Sequence, residues 1–520
     1  MVAWSGDDIA GLRIANVTDD EMAEIRSVMS KWNARIGKNA KRSLYYDTEQ
    51  SFRDLGIALP PQLKRAKTVL GWAMQAVRKP AMRTQFEGLR LPGSKDPLEL
   101  GEVLSRNSFA LEFGQAVVSA YTHGVSLVTV GKGGPGEVPV QIQAHSAESA
   151  AASWDRRNRR IRSAVTISDT REERPTEFVA YLDDVVLWCR KDPGEKWTAE
   201  RIANPVGRAL VVPVLNDPQL RRPFGRSRLT NAVMELNDMA VRAYVRMEGN
   251  AEFYSSPQIA LMGVDEAAFG EGMGESQKFK LAMERLLALT KDQDGDKPVL
   301  TQLQQASMTP HSDMLRTIAA AFSAETAIPV SSLGVIHDQP ASAEAIRAAE
   351  HDLLVDVTYH NKHVHAASVR EIATLAAMVR DDLSAPPAEA WKLSARFADP
   401  EFRSMSAQAD ATQKIASGMD SIGKWDVLLE SVFDEGQVER IKEQMQQALV
   451  TAPDGTAINT DVEAAETLKA KFDALGVAVR AGATFESAAQ MLGLEGVVNS
   501  GAVPVTLRLP EKDAGVLEEA

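Results

Sequence analysis

The chain has a single cysteine, Cys189, among 520 residues. No intramolecular disulfide can form, and no cysteine-rich metal site can be built. Cys189 lies in the apolar run VVLWCR, where a small buried strand residue is the expected role. No apolar run approaches the roughly 20 residues that a membrane-spanning helix needs. The start, MVAWSGDDIAG, lacks the basic and apolar segments of a secretory signal. Membrane spanning and secretion are therefore not expected. A basic excess is also missing: 58 Lys and Arg against 71 Asp and Glu leave a net charge of −13, which argues against a tight grip on nucleic acid by phosphate neutralisation. No GxSxG, Cys/His pairing or other nucleophile arrangement stands out, so neither an enzyme nor a cofactor is expected. What is present is an ordinary globular balance, 44% hydrophobic and 25% charged residues, in a chain too long for one core. Several domains are expected.

Motifs that could carry chemistry are incomplete. Gly131-Lys132-Gly133-Gly134-Pro135-Gly136 superficially resembles a phosphate loop. The Ser or Thr after the lysine is missing, Pro135 removes a backbone donor, and the strand-like VPVQIQ follows in place of a helix, so a glycine turn is expected. His360, His363 and His365 sit in HNKHVH without the i, i+4 spacing or the glutamate of a zinc helix. They are expected on a polar helix face, with only His360 and His363 near a shared side and no metal. The Asp-rich stretch from Lys291 to Asp296 lacks the glutamate of a calcium loop, since Val299 and Leu300 begin a strand there, and reads as a turn. Asp155-Arg156-Arg157-Asn158-Arg159-Arg160 is the most basic stretch. Its place between strand-like runs makes it a solvated hairpin turn rather than a nucleic-acid patch, with Asp155 and Asn158 supplying the turn chemistry. Asp183-Asp184 and Asp381-Asp382 also read as turns.

Along the chain, residues 18–36 predict a helix capped by Thr18 or Asp19, a second follows Pro60 and Pro61, and 98–122 predict another. Through Gly124 the chain enters SLVTVG. Strand-like runs then alternate with turn signals to about residue 213: VPVQIQAHS, SWDRRNRRIRSAVTI, TEFVAYL, DVVLWCR, KWTAERI and ALVVPVL. Residues 227–254 predict one amphipathic helix with Ser227 as its expected cap and apolar positions at Leu229, Val233, Leu236, Met239, Ala243 and Met247. Two short strands, around Ile259 and Leu261 and around Val299 and Leu300, bracket a helix SQKFKLAMERLLALT and a polar turn. Residues 310–328 return as a helix started by Ser312 and Asp313, apolar at Leu315, Ile318 and Phe322, and ended by Pro329. After a loop bent at Gly334, Ser342 is expected to cap a helix continuous to about residue 380, roughly 55–60 Å long at 1.5 Å per residue, with apolar positions that include Ile346 and Ala349. Pro386 and Pro387 break it, and WKLSARF predicts a strand returning to the main sheet. Residues 401–495 read as helical and the tail as mobile.

Five pieces in this order resemble the portal proteins of tailed bacteriophages, in the branch common among phages of actinobacteria. They are RSLYYDTEQSFRDLGIALPPQL, PVLNDP with GRSRLTNAVMELNDMAVRA, SPQIALMGV, QPASAEAIRAAEHDLL and FADPEFRSMSAQADATQKI. None is as specific as a zinc-ligand pattern; their order over most of the chain carries the resemblance. It implies an α+β portal fold, with a sheet-bearing wing (1–226), a stem helix (227–254), a small α/β clip (255–309), a second stem helix (310–328) and a tunnel loop (329–341). A spine helix with a wing return strand (342–400), a helical crown (401–495) and a flexible tail (496–520) complete it. The clip strands, too few for an independent core, would pair with those of neighbouring subunits.

In function the resemblance implies a homo-oligomeric ring, a dodecamer, at one vertex of the capsid, assembled in the host cytoplasm. Double-stranded DNA would pass without sequence preference through an electronegative tunnel, driven by a terminase large subunit docked on the clip. Major capsid protein, scaffold and head-completion or adaptor proteins would be further partners. Ser331, Ser332, Leu333, Gly334, His337, Asp338 and Gln339 of the tunnel loop would touch the duplex weakly, since strong cationic contacts would trap it. The alternative is a helical virion scaffold or adaptor protein without a DNA channel.

Overall fold

Short helix α1 (Gly6–Ala10) and strand β1 (Ile14–Ala15) lead into α2 (Asp19–Tyr46), which starts on a capping box. The Thr18 hydroxyl accepts from the Glu21 N–H at 3.4 Å, and Glu21 Oε2 accepts from the Thr18 N–H at 2.8 Å. The helix runs on to Tyr46 rather than ending at Ile36. The structure is a computed structural model; it describes residues 4, 6–51, 69–134, 136–172, 174–194, 196–254, 259–262, 299–302, 307–335, 343–401, 471, 474–475, 477 and 484–493. Met22, Ile25, Val28, Met29, Trp32 and Ile36 recur at helical spacing and are buried. They pack against a six-stranded sheet in the order β1-β9-β8-β7-β6-β5, made by β5 (Ala150–Asp155), β6 (Arg160–Arg171), β7 (Arg174–Tyr181), β8 (Val185–Lys191) and β9 (Trp197–Ala203). Only β1 runs parallel to its neighbour. Alternation along these strands sends Phe178, Ala180, Leu187, Cys189 and Ala199 into the core with α2. Full burial of Phe178 or Leu187 stabilises by roughly 2 kcal/mol each. Burial pushes the Cys189 thiol up to about 12, so it is an inert core residue.

A second core forms around α3 (Trp72–Met82), α4 (Gly101–Arg106) and α5 (Phe109–His123). The segment expected as one helix over 98–122 is broken by Ser108, whose φ of 48° no helix interior accommodates. Pro60 and Pro61 lie outside the described residues. Helix α5 packs on a three-stranded sheet, β10-β3-β4, formed by β3 (Val125–Lys132), β4 (Val140–Ser146) and β10 (Val211–Leu215). The glycine run closes the turn between β3 and β4: the Gly133 N–H donates to the Pro139 carbonyl at 3.1 Å, and a side chain at Gly133 would collide with the Val138 carbonyl. At the tip between β5 and β6, Asp155 accepts from the Arg157 and Asn158 N–H groups at 2.8 and 3.1 Å.

Helix α6 (Asn231–Tyr254) and helix α7 (Thr309–Thr326) pack together in this second core. Ser227 is not the α6 cap; its hydroxyl donates to the Thr122 carbonyl at 2.5 Å, and Thr230 accepts from the Val233 N–H at 3.2 Å in the capping role. Helix α7 begins at Thr309 with Pro310 in its first turn, earlier than Ser312, whose hydroxyl turns back to the Met308 carbonyl. Strands β11 (Ile259–Met262) and β12 (Val299–Gln302) pair antiparallel with each other. The helix expected between them and the Lys291–Asp296 stretch lie outside the described residues.

The long helix is continuous but not α throughout. It consists of α8 (Ala343–Tyr359), a π segment (His360–His365) and α9 (Ala366–Arg380). Its first turns differ from the amphipathic expectation: Ile346 and Ala349 are exposed. Ser342 is outside the described residues. WKLSARF does not return to either large sheet. Its Ala390–Lys392 part is a 3₁₀ turn, and β13 (Ser394–Phe397) pairs with β2 (Phe86–Arg90) in a sheet of two, where Phe86 and Phe397 meet edge to face at 6.1 Å.

Residues 403–520 form a separate unit. There α10 (Phe485–Met491) follows Thr484, and Leu475, Ala488 and Ala489 form a small apolar cluster. The rest of the expected crown, and the tail, lie outside the described residues.

Candidate functional site

Leu229 just before α6, Val233 and Ala243 along it, and Leu315, Ile318 and Phe322 along α7, are buried in the second core. Leu236, Met239 and Met247 pack partly buried against the same core. All nine are thus covered by their own chain. The reason lies in α3: the Trp72 ring stands 5.5 Å from Phe322, and the Ala73 N–H donates to Asn237 Oδ1 of α6 at 3.2 Å. A further polar group of α6, Asp238, is covered as well. Asp238 accepts from the Tyr45 hydroxyl at 2.7 Å, and burial raises its carboxyl above the ordinary range.

After α7, Ala327 turns left-handed at φ 57°, and a 3₁₀ turn, Val330–Leu333, leads to Gly334 at φ 75°. The expected DNA-facing residues do not share one environment here. Ser331 and Gly334 are exposed, Ser332 is half-buried, and Leu333 is buried with its carbonyl accepting from Trp72 Nε1 at 3.0 Å. His337, Asp338 and Gln339 lie outside the described residues. The near half of the loop is therefore pinned to the core. In the strand pair, Leu261 is opposite Leu300 and Met262 opposite Val299, with Ile259 opposite Gln302.

The π segment leaves His363 exposed, as expected of a polar face, but overturns that expectation for the other two histidines. His360 and His365 are buried, as is Asn361, and the two imidazole rings lie 6.0 Å apart. In α geometry residues five apart diverge; here the Ala366 N–H donates to the Asn361 carbonyl, an i→i+5 bond that brings such residues onto one side. His360 Nδ1 lies 2.9 Å from the Asp356 carbonyl and its Nε2 accepts from the Asp217 N–H at 3.4 Å. Arg228 pairs with the Asp356 carboxylate and stacks 4.8 Å over the Tyr121 ring, while the Tyr121 hydroxyl is 3.0 Å from His365 Nε2. Burial alone would raise the Asp356 carboxyl, but the His360 bond and the Arg228 charge hold it at about 2. Burial, with the nearby cations, pushes His365 down to about 3. This cluster fastens the long helix to α5 and to the chain entering α6. Helical periodicity could not reveal it; the one signal was a pair of histidines at a spacing that suits no α face.

Among the described residues no group of His, Cys, Asp and Glu is arranged to hold a metal, and no helix is long and apolar enough to cross a membrane. The neck of a native GTA particle, computed with C12 symmetry, aligns at 14% identity over 75% of this chain and 98% of that one, with a TM-score of 0.40. The portal protein of Mycobacterium phage L5 is 27% identical over 388 residues, 72% of this chain and 78% of that protein. The portal protein of Mycobacterium phage D29 is 27% identical over 423 residues, 79% and 83% respectively. The family described as phage portal protein, SPP1 Gp6-like, matches residues 26–449, a span that takes in most of both cores together with α6, the β11–β12 pair and α7, and the chain belongs to that family.

Proposed function

We propose that this chain is the portal subunit that closes into a ring, a dodecamer, at one vertex of a phage head and forms the conduit for genome packaging and ejection. The observation that carries the reading is the family match across residues 26–449. In this reading α6 and α7 are the stem, the β11–β12 strand pair belongs to the clip, and the loop over residues 329–341 faces DNA. The terminase docks on the clip and head-completion proteins later take its place; capsid and scaffold proteins hold the ring during assembly in the host cytoplasm. The role is structural and does not involve turnover of a substrate. A chain of net charge −13 suits a conduit, because a duplex must slide without being held by cations.

Electron microscopy of the purified chain, alone and with capsid and scaffold proteins, tests the ring. Closed rings with a central hole are expected; persistent monomers under all these conditions would refute it. Removal of residues 336–339, beyond the pinned Leu333, is expected to leave rings intact and impair packaging or retention of DNA. Full genomes packaged and held normally would show that this loop does not contact the duplex.

A further inference from the structure

Two loops meet at one end of the six-stranded sheet, where the Trp154 and Phe224 rings lie 5.7 Å apart. The β5–β6 tip exposes Arg156, Arg157 and Arg159, and its carboxylate, Asp155, is engaged by turn N–H groups. The loop before Phe224 exposes Arg221 and Arg222 beside Leu220, which is fully exposed, and its Asp217 carboxylate accepts from Gln219 Nε2 at 3.0 Å. Among the described residues none of these five arginines forms an ion pair with a carboxylate. In a chain of net −13 this corner has the opposite sign. A bare leucine next to arginines suits a protein surface with apolar and acidic groups better than a phosphate backbone, which offers no apolar contact.

At the other edge of the same sheet an open groove of ≈ 860 Å³ mixes the apolar Val17, Trp188 and Ala199 with the polar Asn16, Thr18 and Thr198. The arginines within it, Arg190 and Arg201, are neutralised by Glu200 and Glu21 at 3.5 and 2.8 Å. Next to Thr18, the first turn of α2 exposes Asp19 and Asp20, and upstream Asp7 is exposed, with Arg13 the exposed cation between. We propose that the arginine loops and Leu220 of one copy dock on this groove and acidic turn of a second copy. Opposite edges meeting head to tail make a heterologous contact, the type that closes into a ring. The inference rests on the ring reading above and names one contact between its subunits.

The test uses the full chain. Leu220→Cys combined with Thr198→Cys is expected to give a ladder of covalent multimers under oxidation, absent from either single variant; Cys189 is buried and stays out of the exchange. Arg156→Glu with Arg157→Glu should raise the concentration for half-assembly by about tenfold at low salt and less at high salt. Adding Asp19→Lys with Asp20→Lys should recover most of that. Rings that form without a ladder, with both charge variants assembling like wild type, overturn the proposal and leave the ring reading standing. A ladder without closed rings supports the contact and refutes the ring. Unchanged assembly with reduced, salt-dependent DNA binding would assign the arginines to phosphate and overturn the proposal.

Discussion

The core between α2 and the six-stranded sheet is built almost wholly of apolar side chains, whereas the core beneath α8, the π segment and α9 holds His360, Asn361 and His365 buried among its aliphatic residues, with Arg228 and Asp356 half-buried beside them. The first holds by contact area, a non-directional interaction that tolerates small shifts. The second adds directional bonds that work only as a set, since an ion left without its partner in a dry site costs more than the pair contributes. The difference separates what fixes a layer from what fixes one element at one register.

The largest expected effect tests the apolar side. Phe178→Ala, at a fully buried strand position, should cost about 4 kcal/mol in a urea or thermal melt, while Phe178→Leu should cost under about 1.5 kcal/mol. Arg228→Ala tests the polar side and should cost about 3 kcal/mol by leaving Asp356 against His360 alone. Replacing both ions, Arg228→Met with Asp356→Leu, should recover most of that loss. Additive losses in this double-mutant cycle would erase the distinction between the two cores.

Acid should sharpen the contrast. Burial depresses His365 to about 3 and His123 and His145 to about 4, against an unfolded value of 6.5, so the unfolded chain binds more protons. Their contribution is fully present above pH 6.5 and is lost as pH falls toward 4. Asp356, held at about 2 against an ordinary 3.8, adds a loss at still lower pH, between those two values. Hydrogen exchange followed from pH 7 to 4 should therefore speed up around α5, β4 and the π segment before it does in α2. Equal acceleration in both regions would count against this order. The smallest effect belongs to the cap: Thr18→Ala should cost about 1 kcal/mol and fray the first turn of α2.

Strand positions were legible where short β-branched and aromatic runs sit between turn signals, as in VVLWCR and TEFVAYL, because such side chains fit the pleat. The hairpin tip at Asp155 was legible for a similar local reason, its carboxylate bonding to N–H groups two and three residues on. The split at Ser108 was not, since the residue is compatible with a helix and only its surroundings impose φ 48°. WKLSARF was recognised in part as a strand, but its partner β2 could not be read from the sequence, because pairing depends on tertiary packing around Phe86, Phe113 and Phe397. Of the expected site, the apolar residues of α6 and α7 followed from helical period. The burial of Leu333 did not, since it depends on Trp72, far away in the chain.

The β2–β13 sheet has a consequence for synthesis. Arg90 and Ser394 are paired across 304 residues, so β2 leaves the ribosome long before its partner exists. At about 5–20 residues per second the wait is roughly 15–60 s, during which Phe86 and the backbone groups of β2 have no strand to meet. A nascent chain stalled before residue 394 would present that open edge to any other, and the arrival of β13 is what covers it.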